Sequence, residues 1–180
     1  MEYSTDRLIL REYAATDKHS LYALFTEHFV STYEAHLRIK NISDVENYID
    51  FHIKNAVSAN RTHYYYVIES AQTREFLGSI GYSFVEEAAI NGKNGVVMEL
   101  EYYLLEKHWG NGYMTEALKK VTSLAFESGK VVKIFAQCHI ENKKSENVMI
   151  KCGMRKSAIQ PKPKNYNGVL KVNVRYELTI

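Results

Sequence analysis

Two carboxylates fall two residues apart in the run VVMELEYYLL, Val96 to Leu105. In an extended chain side chains alternate faces, so Glu99 and Glu101 share one side with Val97 and Tyr103, while Met98, Leu100, Tyr102 and Leu104 line the other. Same-face neighbours lie about 7 Å apart. At that spacing, burial and mutual repulsion push at least one carboxyl toward neutrality, which suits a general base that takes a proton from an ammonium group. The plainer reading is an edge strand whose glutamates are solvated. Directly downstream, HWGNGYMTEALKK (His108 to Lys120) sets two glycines around an asparagine and then begins a helical pattern. The unpaired N–H groups of a helix's first turn and the positive end of its dipole welcome an anion, and glycines let that anion reach the main chain. A tight turn between two elements is the competing explanation. Neither a triphosphate loop nor a dinucleotide fingerprint fits, because no Gly-Lys-Ser/Thr follows and no third glycine completes the pattern.

Other reactive side chains are less persuasive. Cys138 and His139 are consecutive in a strand-like run, so they point to opposite faces and do not form a nucleophile and base pair. Cys152 falls at a helix C-terminus, whose negative end disfavours a thiolate. Two cysteines supply neither a disulfide framework nor a zinc site, and no metal is expected. His108 flanks the glycine turn and reads either as a phosphate contact or as plain surface. Lys143 and Lys144 read as anion contacts or as a solvated helix start. The triplet Tyr64 to Tyr66 alternates faces, so sheet packing is favoured over base stacking.

These residues need elements to hold them. RLILREY (Arg7 to Tyr13) alternates like a strand, and Asp17 then caps a helical run through Leu21, Leu24 and Phe25. Ile42 to Val57 reads as a second helix, with Ser43 and Glu46 as a capping box. YYYVIES and FLGSIGYSFV are strand-rich, and AINGKNGVVM carries two Asn-Gly pairs, a hairpin signal. After the strand Val96 to Leu105 and the glycine turn, Met114, Ala117, Leu118, Val121, Leu124 and Ala125 mark an amphipathic helix ending near Gly129. VKIFAQCHI then reads as a mostly buried strand, and ENKKSENVMIKCGM as a shorter helix capped by Asn142 and stopped at Gly153. A last hairpin turning at Asn167-Gly168 leads into a strand from Val169 to Thr179, with Tyr166 beside the turn.

The chain has 180 residues, 46% of them hydrophobic, and reads as one domain, residues 1–180, with a real core. Its 23 basic and 21 acidic side chains give a formal charge of +2, too small and dispersed for a nucleic-acid groove. The opening MEYSTDRLIL is polar and acidic where a secretory signal is basic and then apolar, and no run is long enough to span a bilayer. A cytoplasmic protein with no membrane partner is expected.

The stretch ELEYYLLEKHWGNGYMTEAL resembles the strand, pyrophosphate loop and helix of the GNAT superfamily of acetyl-coenzyme A-dependent N-acetyltransferases. It is particularly similar to the Rim-type branch, which acetylates ribosomal-protein N-termini. STDRLILREY resembles that branch's opening strand, FLGSIGY its third strand, and ENKKSENVMIKCGM its Asn-x-x-Ser helix ending in Lys-x-Gly-Phe, with Met154 where Phe is usual. The resemblance covers nearly the whole chain in order. It implies an α/β (α+β) fold with a mixed, mostly antiparallel sheet of about seven strands, about four helices, and a splayed parallel strand pair at the cofactor site.

The superfamily's Gln/Arg-x-x-Gly-x-Gly/Ala loop falls on Trp109, Gly110, Asn111, Gly112, Tyr113 and Met114, with Thr115 next on the helix. Gly112 matches, Trp109 replaces the Gln or Arg, and Met114 replaces a small residue. The resemblance implies that backbone N–H groups of this loop hold the pyrophosphate of acetyl-coenzyme A. It also implies that Tyr103, Leu104 and Leu105 pair through their backbone with the pantetheine, and that Asn142 and Ser145 lie near the sulfur. Transfer is then direct, in a ternary complex: Glu101, or second Glu99, takes a proton from the amine, and Ser145 returns one to the thiolate. The first-ranked acceptor is a protein N-terminus, and a small amine such as a polyamine or aminoglycoside is the alternative. A non-catalytic acyl-coenzyme A binding module is the remaining one. A homodimer would agree with the branch.

Overall fold

In a computed structural model, residues 1–33, 37, 39–159, 164–166 and 169–179 are described. The strands that carry the chemistry are central. β1 (Glu2–Ser4), β2 (Leu8–Glu12), β3 (His63–Ser70), β4 (Phe76–Ile90) and β5 (Lys93–Leu104) pair antiparallel in sequence order. β6 (Val131–His139) joins β5 in parallel, and β10 (Asn173–Thr179) and β7 (Arg155–Ile159) complete the eight-stranded sheet in the order β1-β2-β3-β4-β5-β6-β10-β7. β8 (Lys164–Tyr166) and β9 (Val169–Lys171) form a separate two-stranded ribbon.

The β5–β6 pair explains the site. Between the two strands runs α4 (Tyr113–Glu127), and a strand, helix, strand crossover is the connection that parallel pairing demands. Their register begins at Val96 opposite Val131 and ends at Leu100 opposite Ala136, while β5 continues to Leu104 and β6 to His139. Past Leu100 the two strands therefore part.

Each face of the sheet has its own core. On one side Met114, Ala117, Leu118, Val121 and Ala125 of α4 and Met149 of α5 (Lys143–Lys151) pack on Leu10, Ile68, Ile80, Leu100 and Ile134. On the other, Leu21, Leu24 and Phe25 of α1 (Lys18–Thr26), Val30 of α2 (His28–Tyr33) and Val45 and Ile49 of α3 (Ile42–Ala56) pack on Tyr13, Tyr65, Val67 and Tyr103. The alternation of β5 is thereby realised: Met98, Leu100 and Leu104 enter the first core and Tyr103 the second.

Several local expectations need correction. Asp17 precedes α1 but makes no cap bond to that helix; its buried carboxylate binds the Arg11 guanidinium at 2.7 and 2.8 Å and accepts the Ala14 N–H at 2.8 Å. The capping box of α3 is Asn41 with Asp44, upstream of Ser43, whereas Glu46 meets Lys18 Nζ at 2.7 Å. Of the two Asn-Gly pairs only Asn91-Gly92 turns, with φ of 51° and 75°, because Asn94 and Gly95 already belong to β5. The region Val169–Thr179 is not one strand: β9 pairs with β8, and β10 pairs with β6 and β7. The expected turn at Asn167-Gly168 lies outside the described residues. Among the described residues the main sheet has eight strands and there are five α-helices, in agreement with the expected sheet of about seven strands and about four helices.

Candidate active site

A cavity of about 740 Å³ opens where β5 and β6 separate. Its lining gathers Glu99, Glu101, Tyr103 and Leu104 from β5, then Trp109, Gly110, Gly112, Tyr113, Met114 and Thr115 from the turn into α4, and Asn142 and Ser145 from the start of α5. Of the residues that the resemblance implies hold acetyl-coenzyme A, two lie outside that lining. Leu105 packs beside the second core, and its N–H bonds the Leu77 carbonyl at 3.0 Å. Asn111 folds its amide back onto the carbonyls of His108 and Trp109.

The glycine turn is built for backbone exposure. Gly110 and Gly112 both adopt left-handed conformations, with φ of 82° and 78°, and Gly112 is the N-cap of α4 without any side-chain cap. Space is not what excludes a side chain: a Cβ on Gly110 would meet nothing within 4 Å, and one on Gly112 would meet only Arg7 Nη2 at 3.5 Å. Conformation alone demands glycine there. The first helical bond runs from the Glu116 N–H to the Gly112 carbonyl at 3.1 Å, so the N–H groups of Tyr113, Met114 and Thr115 precede the intrahelical ladder. Arg7 ties the turn down, bonding the Asn111 carbonyl at 3.0 Å and Glu116 Oε2 at 2.7 Å. Trp109 donates its indole N–H to the Leu104 carbonyl at 2.8 Å, and the Lys144 ammonium lies 4.1 Å over its ring. Met114 turns its side chain into the first core, so its size does not obstruct the turn. His108 is 3.4 Å from a Glu75 oxygen, and Lys143 pairs with Glu146, so of the flanking cations Lys144 is the one that lines the cavity.

Glu101 is held from two strands away. Tyr65 on β3 donates its phenolic hydrogen to Glu101 Oε2 at 2.6 Å. The residue between them on β4 is Gly81, the register partner of both Tyr65 and Glu101, and a Cβ there would lie 2.5 Å from the Tyr65 ring. The missing side chain is what lets the ring cross β4. Burial, reinforced by the Glu101 charge, drives the Tyr65 phenol far above its ordinary range, so it serves as a donor only. Behind it His52 is buried against Tyr13, Tyr48 and His63, and desolvation lowers its pKa to about 3. Glu99 has a different partner: Gln137 Nε2 donates to its Oε1 at 2.9 Å.

On the opposite face, Asn142 caps α5 by accepting the Ser145 N–H at 3.1 Å. Ser145 Oγ lies 2.6 Å from the Tyr102 hydroxyl, which also reaches the Ser145 carbonyl at 3.1 Å. Cys152 lacks the setting of a nucleophile, and Cys138, although it lines the cavity, is buried. Burial raises the Cys152 thiol to about 11, and Cys138 sits in the first core, its Sγ 4.0 Å from the Asn142 carbonyl. Sequence reasoning missed Tyr65, Gln137 and Tyr102. The usable signal was that a buried tyrosine hydroxyl seeks a partner, but partners 36 to 43 residues away leave no trace in local spacing.

The strand fork thus holds a carboxylate on one face and a hydroxyl on the other, beside a glycine turn whose first-turn N–H groups suit an anion. Residues 7–155 match the acetyltransferase (GNAT) domain family, and the chain belongs to it. It is an acetyltransferase with the GNAT fold. The uncharacterized N-acetyltransferase YoaA of Bacillus subtilis is 26% identical over 156 residues, 86% of this chain and 83% of that protein. Among solved structures, the fold is shared with RimL, described as a ribosomal L7/L12 alpha-N-protein acetyltransferase in complex with coenzyme A (TM-score 0.83, 16% identity, 100% of this chain and 98% of that one). It is shared also with the spermidine N-acetyltransferase of Vibrio cholerae in complex with coenzyme A and spermine (TM-score 0.78, 18% identity, 97% and 96%).

Proposed function

We propose that this acetyltransferase takes its acetyl group from acetyl-coenzyme A and passes it to the N-terminal amine of a protein, by direct attack within a ternary complex. The observation that carries the reading is the pair of opposed devices at the fork: Glu101 bonded to Tyr65 on one face, Ser145 bonded to Tyr102 on the other. The residues fit the cosubstrate. The left-handed glycines and first-turn N–H groups of α4 suit a pyrophosphate, and Lys144 adds a cation at the same end. The parted edge of β5 near Tyr103 and Leu104 suits an extended pantetheine.

A primary amine is mostly protonated at pH 7 and needs a base before it attacks. Glu101 takes that proton, directly or through one water, with Glu99 as the second candidate along the same face. Ser145 faces the leaving sulfur and returns a proton to it. No acetyl-cysteine is needed, in keeping with the half-buried, high-pKa thiol of Cys152. The shared fold with RimL supports a protein N-terminus as acceptor and the Rim-type branch. A polyamine is the second reading, favoured by two carboxylates along the cavity and by the fold shared with a spermidine enzyme. A cytoplasmic homodimer, working on neither nucleic acid nor membrane, belongs to the same proposal.

The test measures acetyl-coenzyme A consumption against N-terminal peptides, polyamines and aminoglycosides. Glu101→Gln should lower kcat by about two to four powers of ten while coenzyme affinity stays within a few-fold. Full activity in that variant would remove Glu101 from the role.

A further inference from the structure

On the acid side of the fork, the serine hydroxyl is poorly matched to its task. A simple hydroxyl is close to water in acidity, far weaker as an acid than either a thiol or a phenol, whereas the thiol to be regenerated titrates at about 8.5 and a phenol at about 10. A thiolate leaving beside an isolated serine would therefore draw its proton from a very weak acid. The phenol at 2.6 Å changes that match.

We infer that Tyr102 is a positioning residue that supplies, through Ser145, the proton taken up by the departing thiolate. This rests on the acetyl-transfer reading above. The 2.6 Å contact allows either hydroxyl to donate; in the relay the Tyr102 phenol, which also reaches the Ser145 carbonyl at 3.1 Å, donates to Ser145 Oγ and leaves the serine's own hydrogen for the cavity that Ser145 lines. As the carbon–sulfur bond breaks, its electron pair stays on sulfur and takes the Ser145 proton. The Ser145 oxygen takes the Tyr102 proton in the same step, and the negative charge passes to the phenolate, which water reprotonates.

The fold places the pair deliberately close. Strand alternation sends Tyr102 to the α4/α5 side, opposite Glu101, so acid and base come from consecutive residues of β5. The Asn142 cap fixes Ser145 in the first turn of α5, where the helix dipole favours negative charge on sulfur and phenolate alike. α5 itself, KKSENVMIK, contains no tyrosine, so the phenol arrives from the strand.

The experiment titrates the thiol of bound coenzyme A by its ultraviolet thiolate absorbance, in wild type, Tyr102→Phe and Ser145→Ala, and needs no acceptor. The wild type should hold the thiol about one pH unit below its free value, and both variants should return it toward that value. Steady-state kinetics should show Tyr102→Phe losing about ten- to a hundredfold in kcat with KM for acetyl-coenzyme A within about twofold, and the double variant no worse than the weaker single one. An unchanged bound-thiol titration in Tyr102→Phe, or losses that multiply in the double variant, would overturn the relay. If Tyr102→Phe does not fold, Ser145→Ala decides by the same titration. Wild-type protein that binds no coenzyme A overturns the acetyl-transfer reading itself, a result distinct from either.

Discussion

At the scale of single residues, the site consists of carboxylates and hydroxyls held by partners on other strands. Glu101 is the clearest case, since Tyr65 fixes one of its oxygens from across β4. A hydrogen bond to a charged acceptor contributes about 1.5–3 kcal/mol, and here it also selects one rotamer of the proposed base. Tyr65→Phe keeps the ring and removes only the donor. The expected outcome is a drop in kcat of about tenfold or more, with KM for acetyl-coenzyme A nearly unchanged, because the proposed coenzyme site lies on the far side of the fork. Steady-state kinetics with the best acceptor check this; a change confined to coenzyme KM would contradict it. Glu99 supplies the internal comparison, being held by Gln137 on the neighbouring strand.

At the scale of elements, two glycines perform different work. Gly112 needs its left-handed backbone, with room around it, so Gly112→Ala should cost about 1 kcal/mol of stability and weaken coenzyme binding by displacing the first-turn N–H groups. Gly81 needs the absence of a side chain: a Cβ would press on both the Tyr65 ring and the Tyr64 carbonyl, at 2.5 and 2.6 Å. Gly81→Ala should cost about 1–3 kcal/mol and lower kcat while leaving coenzyme affinity intact, which thermal melts and coenzyme titration together distinguish. These elements also show what a sequence reveals. α4, α5 and β5 were legible because apolar periodicity, a cap and glycines repeat over many residues, and the face shared by Glu99 and Glu101 followed from alternation alone. Ser43 misled because Asn41 offered an equally good cap two residues earlier, and Asp17 because a half-buried arginine outcompeted a helix end. Gly81 looked like any strand glycine, since its purpose lies in the neighbours on either side.

At the scale of the whole molecule, the layer of α1–α3 carries an electrostatic consequence. His52 of α3 is only 7% exposed, is ringed by Tyr13, Tyr48, Phe51, His63 and Tyr65, and has no bond to its Nδ1. Desolvation is the main cause that lowers its pKa to about 3, the nearby His63 adds to the effect, and the Glu101 charge opposes it. His63, lowered by its own burial, shifts the same way. The unfolded chain binds a proton on histidine below about pH 6.5, whereas folded His52 stays neutral down to about 3, so between those values the unfolded state holds more protons. Stability therefore rises with pH through that window and falls as the medium is acidified. A shift of this size corresponds to at most about 5 kcal/mol for His52, a large part of the total stability of a small domain. Urea denaturation between pH 7 and pH 4 should show the loss, and His52→Gln should flatten the slope. A wild-type profile level over that range would mean that His52 takes up its proton inside the folded molecule. Acid loosening of this layer would also loosen Tyr65, so activity at low pH should fall before the fold on the α4 side gives way, as hydrogen exchange resolved along α3 and α4 would report.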